Sequence, residues 1–574
     1  MTFRRVFLVI FLGLFITSNT WAGERRLVSG PLVVSDQWPE TTSLKTWMND
    51  IMRLEGVENA SNTMQAKVFF RWLRLFSKMA TGGMIQAFEG NYGQERYVSD
   101  AHKNLFVYGW GYCDTHSRIA EAAWQEYKGD PNSALRVITQ HENGGYHTMY
   151  RLKLDGQWAA FDARYGYYLI EEDSPDARIL DWEEVAVDEN ILRNKTFTHR
   201  SQPFFEFFGQ EWERALLLNP TYYESEEDWV KAGRPVECVF GNPMYKMGTP
   251  YHDMSFRLPR GTTIERYWDN SARKFYVPAK VVEEPFLPSG RFYRVTETMF
   301  DGNWVKYDPN YQKAAPYVTT VPENEGYNQQ IAGGKTIGQA WGKWIYAPDL
   351  ADPGMVDNSA LSGDLIHSTE APHLRPQALK SGGSLVIDFY NPYIFVDGTL
   401  TGNLTATEAD GARVEIRTLA PKPNTTSEPD NWSEWQILHE GGDPFKIELG
   451  RVRYNESEVS IHGKYRFQVR ISFRENPSRV QPVGLNSLAL DSYFETGIMS
   501  IPQIFAGDNR VHFKVNDSSQ VEAPIEVIYE YQTDSGRQQH RQLLRPGDFV
   551  KNVATYQLSA PGLKRCNSLT IRYR

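Results

Sequence analysis

The apolar residues of this 574-residue chain change their spacing along the sequence, and this change restricts the fold more than any other feature. In residues 41–80, and again after Asp114, they recur every three or four positions, as on one face of a helix. From about residue 134 they recur every second position, as in a β-strand. Beyond about residue 230, short alternating runs bounded by Gly, Pro, Asn and Asp are typical of antiparallel sandwiches and barrels. The pattern predicts an α+β N-terminal domain followed by antiparallel all-β sandwich modules.

The length suggests three or four domains, at roughly 150 residues for each domain. Gly, Pro, Asn and Asp are frequent between Thr319 and Gly383, which favours a boundary near residue 375. We therefore predict a first domain over residues 23–230, a β-rich middle region over 231–375 and one or more β-sandwich modules over 376–574. The middle region either forms a second β module or completes a cleft of the first domain.

The first 22 residues have the order of a secretory signal peptide. Arg4 and Arg5 precede an apolar run from Val6 to Ile16, and a short polar stretch leads to the small residue Ala22. This order predicts cleavage after Ala22, and the apolar run is short for a bilayer-spanning helix. An uncleaved anchor is the alternative. We expect a secreted or periplasmic protein with no membrane span once the signal peptide has been removed.

The charge balance, the cysteine count and the residue spacing restrict which partners and cofactors we expect. The chain has 61 Lys and Arg against 71 Asp and Glu, a net charge of −10, which argues against nucleic acid as a partner. Three cysteines, Cys113, Cys238 and Cys566, are too few for a disulfide scaffold, and whether the last two form a bridge stays open. No residue group has zinc or calcium spacing and no glycine loop suits a phosphate, so we expect no metal and no cofactor.

The segment around Cys113 suits a nucleophile. Cys113 follows Gly109 and Gly111 and begins a predicted helix, where unpaired N–H groups and the helix dipole favour a thiolate. Gly111 allows a tight turn, and the N–H of Cys113 is a candidate donor to an oxyanion.

A predicted hairpin supplies a base and a residue to orient it. Asp155 and Gly156 form a typical two-residue turn, which pairs Leu154 with Gln157. Counting back along this register makes His147 and Asp162 diagonal cross-strand neighbours on one face. A thiol nucleophile needs such a histidine, and the histidine needs a carboxylate that holds its orientation.

Five short segments resemble the transglutaminase-like superfamily in their order along the chain. They are Gly111-Tyr112-Cys113, Arg136-Val137-Ile138, Gly145-Tyr146-His147, Gly156-Gln157-Trp158 and Phe161-Asp162. The resemblance covers roughly residues 60–170 and implies a papain-like fold for the N-terminal domain. It also implies that Cys113 is the nucleophile, His147 the acid and base, and Asp162 the orienting carboxylate. Thr148 and Ala163 depart from the family, which often has an aromatic residue and a proline at these positions, so the chain resembles a divergent member.

These residues predict an exported thiol enzyme that hydrolyses, rather than cross-links, amide bonds of an extracellular peptide, glycopeptide or other polymer through a thioester. We expect Trp110 and Tyr112, beside the nucleophile, and Arg164, on the hairpin, to contact the substrate.

Two alternatives remain open at this point. One is β-elimination on a uronate polysaccharide, with Arg151 and Arg164 neutralising the uronate and a histidine or tyrosine as base. The other is a non-catalytic glycan-binding protein. In that case Trp432 and Trp435, with Tyr390, Tyr393 and Phe395, form a sugar-stacking platform, although aromatic residues of β modules more often lie in the core.

Overall fold

The structure is a computed structural model, and it describes the chain in ranges separated by gaps. The described residues are 27–79, 100–111, 113–140, 146–163, 168–174, 176–187, 251–268, 279–284, 293–298, 319–320, 335–336, 342–353, 361–419, 431–449, 460–461 and 463–574. The predicted signal peptide and Cys238 lie outside these ranges. No described helix is both long enough and apolar enough to cross a bilayer.

The helices lie in the first third of the chain, as their periodicity predicts. They are α1 (Leu44–Glu55), α2 (Asn62–Phe76), α3 (Cys113–Lys128) and α4 (Trp182–Val187), with a π-helical segment over Lys103–Tyr108. The Ser43 hydroxyl caps α1 by accepting from the Thr46 amide at 3.0 Å, and Gly56 ends α1 in a left-handed conformation with φ of 69°. The apolar stripes of α1, α2 and α3 meet in one core built around Trp47, Trp72 and Trp124.

A three-stranded antiparallel sheet completes the helical region. In chain order, the strands of this part are β1 (Val28–Ser29), β2 (Leu32–Ser35), β3 (Lys78–Met79), β4 (Trp110–Gly111), β5 (Ala134–Gln140), β6 (Tyr146–Leu154) and β7 (Gln157–Phe161). The sheet has the order β5-β6-β7. Asp155 and Gly156 form the turn between β6 and β7 with φ of 51° and 91°, and Leu154 pairs with Gln157. Both the predicted turn and its register are therefore confirmed.

The rest of the described chain is almost entirely antiparallel β, as predicted. Its strands are β8 (Arg257–Leu258), β9 (Thr262–Tyr267), β10 (Ala279–Glu284), β11 (Tyr293–Thr298), β12 (Thr319–Thr320), β13 (Lys335–Thr336), β14 (Gly342–Tyr346), β15 (Leu361–Gly363), β16 (Leu365–His367), β17 (Leu374–Pro376), β18 (Gly383–Thr405), β19 (Arg413–Thr418), β20 (Gln436–Glu440), β21 (Phe445–Glu448), β22 (Lys464–Phe473), β23 (Gly484–Glu495), β24 (Gly507–Lys514), β25 (Ile525–Thr533), β26 (Gly536–Leu544), β27 (Val553–Ala560) and β28 (Arg565–Tyr573).

Among the described residues, the largest sheet has 14 strands, and its main path is β20-β19-β22-β18-β23-β14-β9-β28-β25-β26. A smaller sheet, β2-β24-β27, packs against it through one shared hydrophobic core. The alternation of side chains along a strand explains how the large sheet packs on this core, since every second residue of β22 from Tyr465 to Phe473 is buried. Strands from both sides of residue 375 belong to the large sheet, while the domain bounds themselves stay a prediction.

The first two described strands pair with strands that come much later in the chain. Strand β2 pairs with β24, and β1 pairs with β8. Directly afterwards, the buried Trp38 inserts between the helices and the β region. Its ring lies 5.5 Å from that of Trp72 and 6.3 Å from that of Phe505, and its indole N–H donates to the Met499 carbonyl at 2.9 Å. Trp38, Met499 and Phe505 all belong to the helical core, so residues from the β part of the chain complete that core around Trp38.

Two histidines, the buried His102 and the half-buried His252, lie where the helical region meets the large sheet. His102 accepts from the amide of Leu44 at 3.3 Å through Nε2, and its Nδ1 lies 3.4 Å from the carbonyl of His252. The His252 ring donates through Nε2 to the carbonyl of Pro392 at 2.7 Å. Burial lowers the pKa of His102 to about 4 and that of His252 to about 3. Both rings are therefore neutral at neutral pH.

Replacing Trp38 by alanine should lower the free energy of unfolding by about 3–5 kcal/mol, because the change opens a cavity in the helical core and removes a buried hydrogen bond. Chemical denaturation followed by tryptophan fluorescence and circular dichroism measures the effect. Val550→Ala, at a side chain that is 72% exposed, is the matched control and should leave stability within about 0.5 kcal/mol. A loss no larger than that of the control would show that this insertion does not hold the two regions together.

The histidine pair should make the protein lose stability in mild acid. An unfolded His102 takes up a proton near pH 6.5, whereas the folded ring does so only near pH 4, so protons favour the unfolded state in this window. His102→Gln should reduce the slope of unfolding free energy against pH by about 1.4 kcal/mol per pH unit there. The nearby charged residues Asp100, Lys103 and Glu126 are the same in wild type and in the His102→Gln variant. The difference between the two slopes therefore reports the titration of His102. Equal slopes would contradict the assignment.

Candidate active site

Cys113 is the first residue of α3, as the sequence predicts. The two-residue strand β4 and the left-handed Gly109, with φ of 67°, bring the chain into this helix. The thiol is half-buried and takes part in no disulfide bond. The hydroxyl of Ser117 donates to the Cys113 carbonyl at 2.8 Å, which ties down the first turn of the helix. The cysteine therefore sits at a rigid helix N-terminus, where amides and dipole favour a thiolate.

The hairpin places His147 and Asp162 at one end of the small sheet. His147 is the second residue of β6 and pairs with Thr139 of β5, while its side chain lies outside the described part. The β6–β7 register runs from Leu154 with Gln157 to Tyr150 with Phe161. Continuing it by one residue sets Met149 opposite Asp162, which makes His147 the diagonal neighbour of Asp162.

Asp162 directly follows β7 and is 1% exposed. Burial, and after it the charge of Asp162, raise the pKa of the Tyr150 phenol well above its usual value. The carboxylate therefore lies near Tyr150, at the end of β7. Tyr150, Leu152 and Phe161 face the helical core, as predicted.

Helix α3 contacts β5 near both of its own ends. The side-chain amide of Gln125, near the end of α3, donates to the carbonyl of Ala134, the first residue of β5, at a distance of 2.9 Å. Eleven residues earlier, Asp114 binds Arg136, which lies further along β5. The first turn of α3 is thus joined to β5, and β5 pairs with β6, the strand that carries His147.

A buried charge network holds the first turn of α3. Asp114 accepts from Arg118 at 2.7 Å and from Arg136 at 2.7 Å, and the two guanidinium side chains are 3% and 1% exposed. Burial raises the pKa of the nearby Glu121, against the opposing effect of Arg136 and Arg118. Arg118 and Arg136 place two guanidinium groups against the Asp114 carboxylate. This balance offsets the charge of Asp114, which alone would oppose a thiolate on the adjacent residue.

The predicted substrate contacts fall mostly outside the described residues. Tyr112 and Arg164 lie there entirely, and of Trp110 the structure describes only the backbone, paired with Lys78 in a parallel bridge between β4 and β3. Arg151, considered above as a partner for a uronate, is buried and forms ion pairs with Asp181 and, at 3.4 Å, with Glu183. Its charge is neutralised within the protein, so Arg151 does not serve as a uronate ligand.

The aromatic platform suggested for the C-terminal region is wrong for two of its five residues. Tyr393 and Phe395 lie in the core, at 3% and 0% exposure. Each indole, Trp432 and Trp435, has two guanidinium groups over its ring, with carbon-to-centroid distances of 4.4 to 5.3 Å. The groups alternate in the order Arg466, Trp432, Arg417, Trp435 and Arg470. Arginine side chains take the ring positions that a sugar would need.

Sequence reasoning missed the charge network around Asp114. The spacing of Asp114 and Arg118, four residues apart on one helix, was a readable signal for an ion pair. The contact with Arg136 depends on how α3 lies against β5, which no local pattern contains. Within the described residues, no group of three or more His, Cys, Asp or Glu side chains is arranged to hold a metal ion.

No protein-family model matches the chain, and no curated protein matches it. Among solved structures, the xylan-binding module CBM15 is 15% identical with a TM-score of 0.17, and the match covers 26% of this chain and 97% of that module. A β-glucuronidase of Bacteroides uniformis is 9% identical with a TM-score of 0.12, covering 34% of this chain and 25% of the enzyme. A β-glucuronidase of Parabacteroides merdae is 10% identical with a TM-score of 0.12, covering 33% and 25%. The chain thus spans about a quarter of each glucuronidase, and likeness at this level carries no argument about activity.

Replacing Asp114 by alanine should destabilise the protein by about 3–5 kcal/mol, because it leaves two buried guanidinium groups without their shared carboxylate. Urea denaturation of wild type and variant measures the loss. Glu58→Ala removes an exposed carboxylate near the end of α1 and should change stability by less than about 0.5 kcal/mol. If Asp114→Ala were as stable as this control, the network would not be what holds the start of α3.

Proposed function

We propose that the protein is an exported thiol enzyme of acyl-transfer type, with a papain-like catalytic domain similar to that of the transglutaminase-like superfamily. One observation supports the proposal: the β6–β7 hairpin has the register predicted for it, and the neighbouring strand β5 is joined by an ion pair to the helix that begins at Cys113. A nucleophile, a base and an orienting carboxylate are the three groups that such chemistry requires.

The reaction follows from the chemistry of these groups. His147 takes the proton of the Cys113 thiol, and the thiolate attacks an amide carbonyl to form a tetrahedral intermediate, with the Cys113 amide as a candidate donor to its oxyanion. The C–N bond breaks, and the imidazolium returns the proton to the leaving amine. His147 then deprotonates a water molecule, which attacks the thioester, releases the acid and restores the thiol. Asp162 orients the imidazole throughout and stabilises its charged form.

Hydrolysis is favoured over transfer to an amine, because water at bulk concentration competes with any amine in an extracellular site. The proposed substrates are amide bonds of an extracellular peptide, glycopeptide or modified polymer. The predicted signal peptide, with Arg4, Arg5 and Ala22, supports this location.

Cys113→Ala should lower amide hydrolysis by about 10³-fold or more, because it removes the nucleophile. The assay measures released amine from a panel of peptides and amide-bearing polymers with the purified mature chain. Cys566→Ala is the matched control. Cys566 is buried, burial raises the pKa of its thiol to about 12, and the variant should keep full activity.

Alkylation by iodoacetamide, followed by peptide mass spectrometry, gives a second measurement. Cys113 should react faster than Cys566, because only a thiolate is an effective nucleophile. Unsaturated uronate products that survive Cys113→Ala would replace the proposal with elimination chemistry. Amide hydrolysis unchanged by that substitution would overturn it directly.

A further inference from the structure

A cleft of about 650 Å³ lies between the helical region and the β region. Its walls come from the segment around β2, the start of α1, the segment before β8 and the end of β24, together with His102 and with Glu126 of α3. The volume is within the range of about 300–1,000 Å³ that is typical of small-ligand sites, which often form where domains meet. We name it the junction cleft and define it by Lys45, Glu126, Tyr251, Asp253 and Lys514.

The junction cleft is separate from the thiol site. Glu126 lines the cleft near the end of α3, and Cys113 is the first residue of the same helix. The two residues are 13 positions apart, which corresponds to about 20 Å along a helix axis. A ligand in the junction cleft therefore does not occupy the space around Cys113, and an inference about it is independent of the thiol chemistry.

The floor of the cleft is rigid and uncharged. His102 and His252 line it, and each ring is held by the hydrogen bonds described above. The ring of Tyr251 stacks on the ring of His102 with 4.1 Å between centroids. A flat aromatic and imidazole surface that is fixed before binding costs little conformational entropy when a ligand arrives.

The walls of the cleft carry charges of both signs. Lys514 binds Glu40 at 2.7 Å, and both side chains line the cleft. Lys45 and Asp253 are exposed at its mouth, and Glu126 lies half-buried beside His102. The lining therefore has two ammonium groups and three carboxylates next to an uncharged floor.

This mixture favours one class of ligand. An anionic polymer would bring its charges against three carboxylates, and a cationic one against two ammonium groups. A sugar hydroxyl both donates and accepts hydrogen bonds, so it can donate to a carboxylate and accept from an ammonium group at the same time. We propose that the junction cleft binds a neutral oligosaccharide.

The test uses the purified mature chain and a panel of neutral oligosaccharides, namely cello-, xylo-, manno- and malto-oligosaccharides. Isothermal titration calorimetry and saturation-transfer NMR measure binding. At least one of these sugars should bind saturably, whereas oligogalacturonate and chitosan oligomers should bind more weakly. Cys113→Ala should bind as wild type does, which separates this proposal from the proposed thiol activity.

Glu126→Gln and Lys45→Met should each weaken binding by about fivefold or more, as expected for the loss of a charged hydrogen-bond partner. Ser255→Trp, at another residue of the lining, should abolish binding by filling the cleft. Glu58→Gln and Lys446→Met are matched controls at exposed positions outside the cleft and should leave affinity unchanged. Melting temperatures confirm that each variant is folded. Failure of every neutral sugar to bind, preference for a charged oligomer, or binding that survives all three cleft substitutions would overturn the proposal.

Discussion

The pairing of β2 with β24 is the constraint on which the arrangement of the molecule depends. It fixes residues 32–35 to a strand that lies almost 480 residues later in the sequence, and Trp38 follows directly into the helical core. Because β2 precedes the helices in the chain, its pairing holds the first helix, which starts at Leu44, against the β region. The junction between the two, with its two histidines and its cleft, exists because the two ends of the described chain are joined in one sheet. Long-range pairing of this kind has a high entropic cost of closure, which the shared core must offset.

The carboxylate of Asp114, in the first turn of α3, affects both the stability of the helix and the charge state of the adjacent Cys113. An acidic residue in the first turn stabilises a helix, but beside a thiol it opposes the thiolate. Asp114 is in this position, and Arg118 and Arg136 bind it in a site from which water is largely excluded. The ion pair between Asp114 and Arg136 also joins the helix to β5. The same charged side chains therefore fix the start of the helix and set the electrostatic surroundings of Cys113. Burying such a network is costly unless every charge has a partner, which explains why the group is so densely paired.

Local patterns predicted local structure well. The helices of residues 41–80, the helix at Cys113 and the alternation of β22 depend on neighbours within a few positions, which the sequence displays directly. The register of the β6–β7 hairpin was equally accessible, because a two-residue turn leaves one way to align its strands. Predictions about which side chains are available to bind a ligand were less accurate. Arg151 is paired with Asp181, and Trp432 and Trp435 are stacked with arginines from neighbouring strands. Those partners are brought together only by the fold.

The sequence by itself determined the order of helices and strands, the helix that begins at Cys113 and the register of the β6–β7 hairpin. Each of these follows from side-chain periodicity or from the geometry of one turn. Only the tertiary structure decided that strands on both sides of residue 375 join one sheet, that Arg136 reaches Asp114, and that a cleft opens between the two regions. These features depend on contacts between residues far apart in the chain, and their energies come from burial and ion pairing that no short stretch of sequence contains.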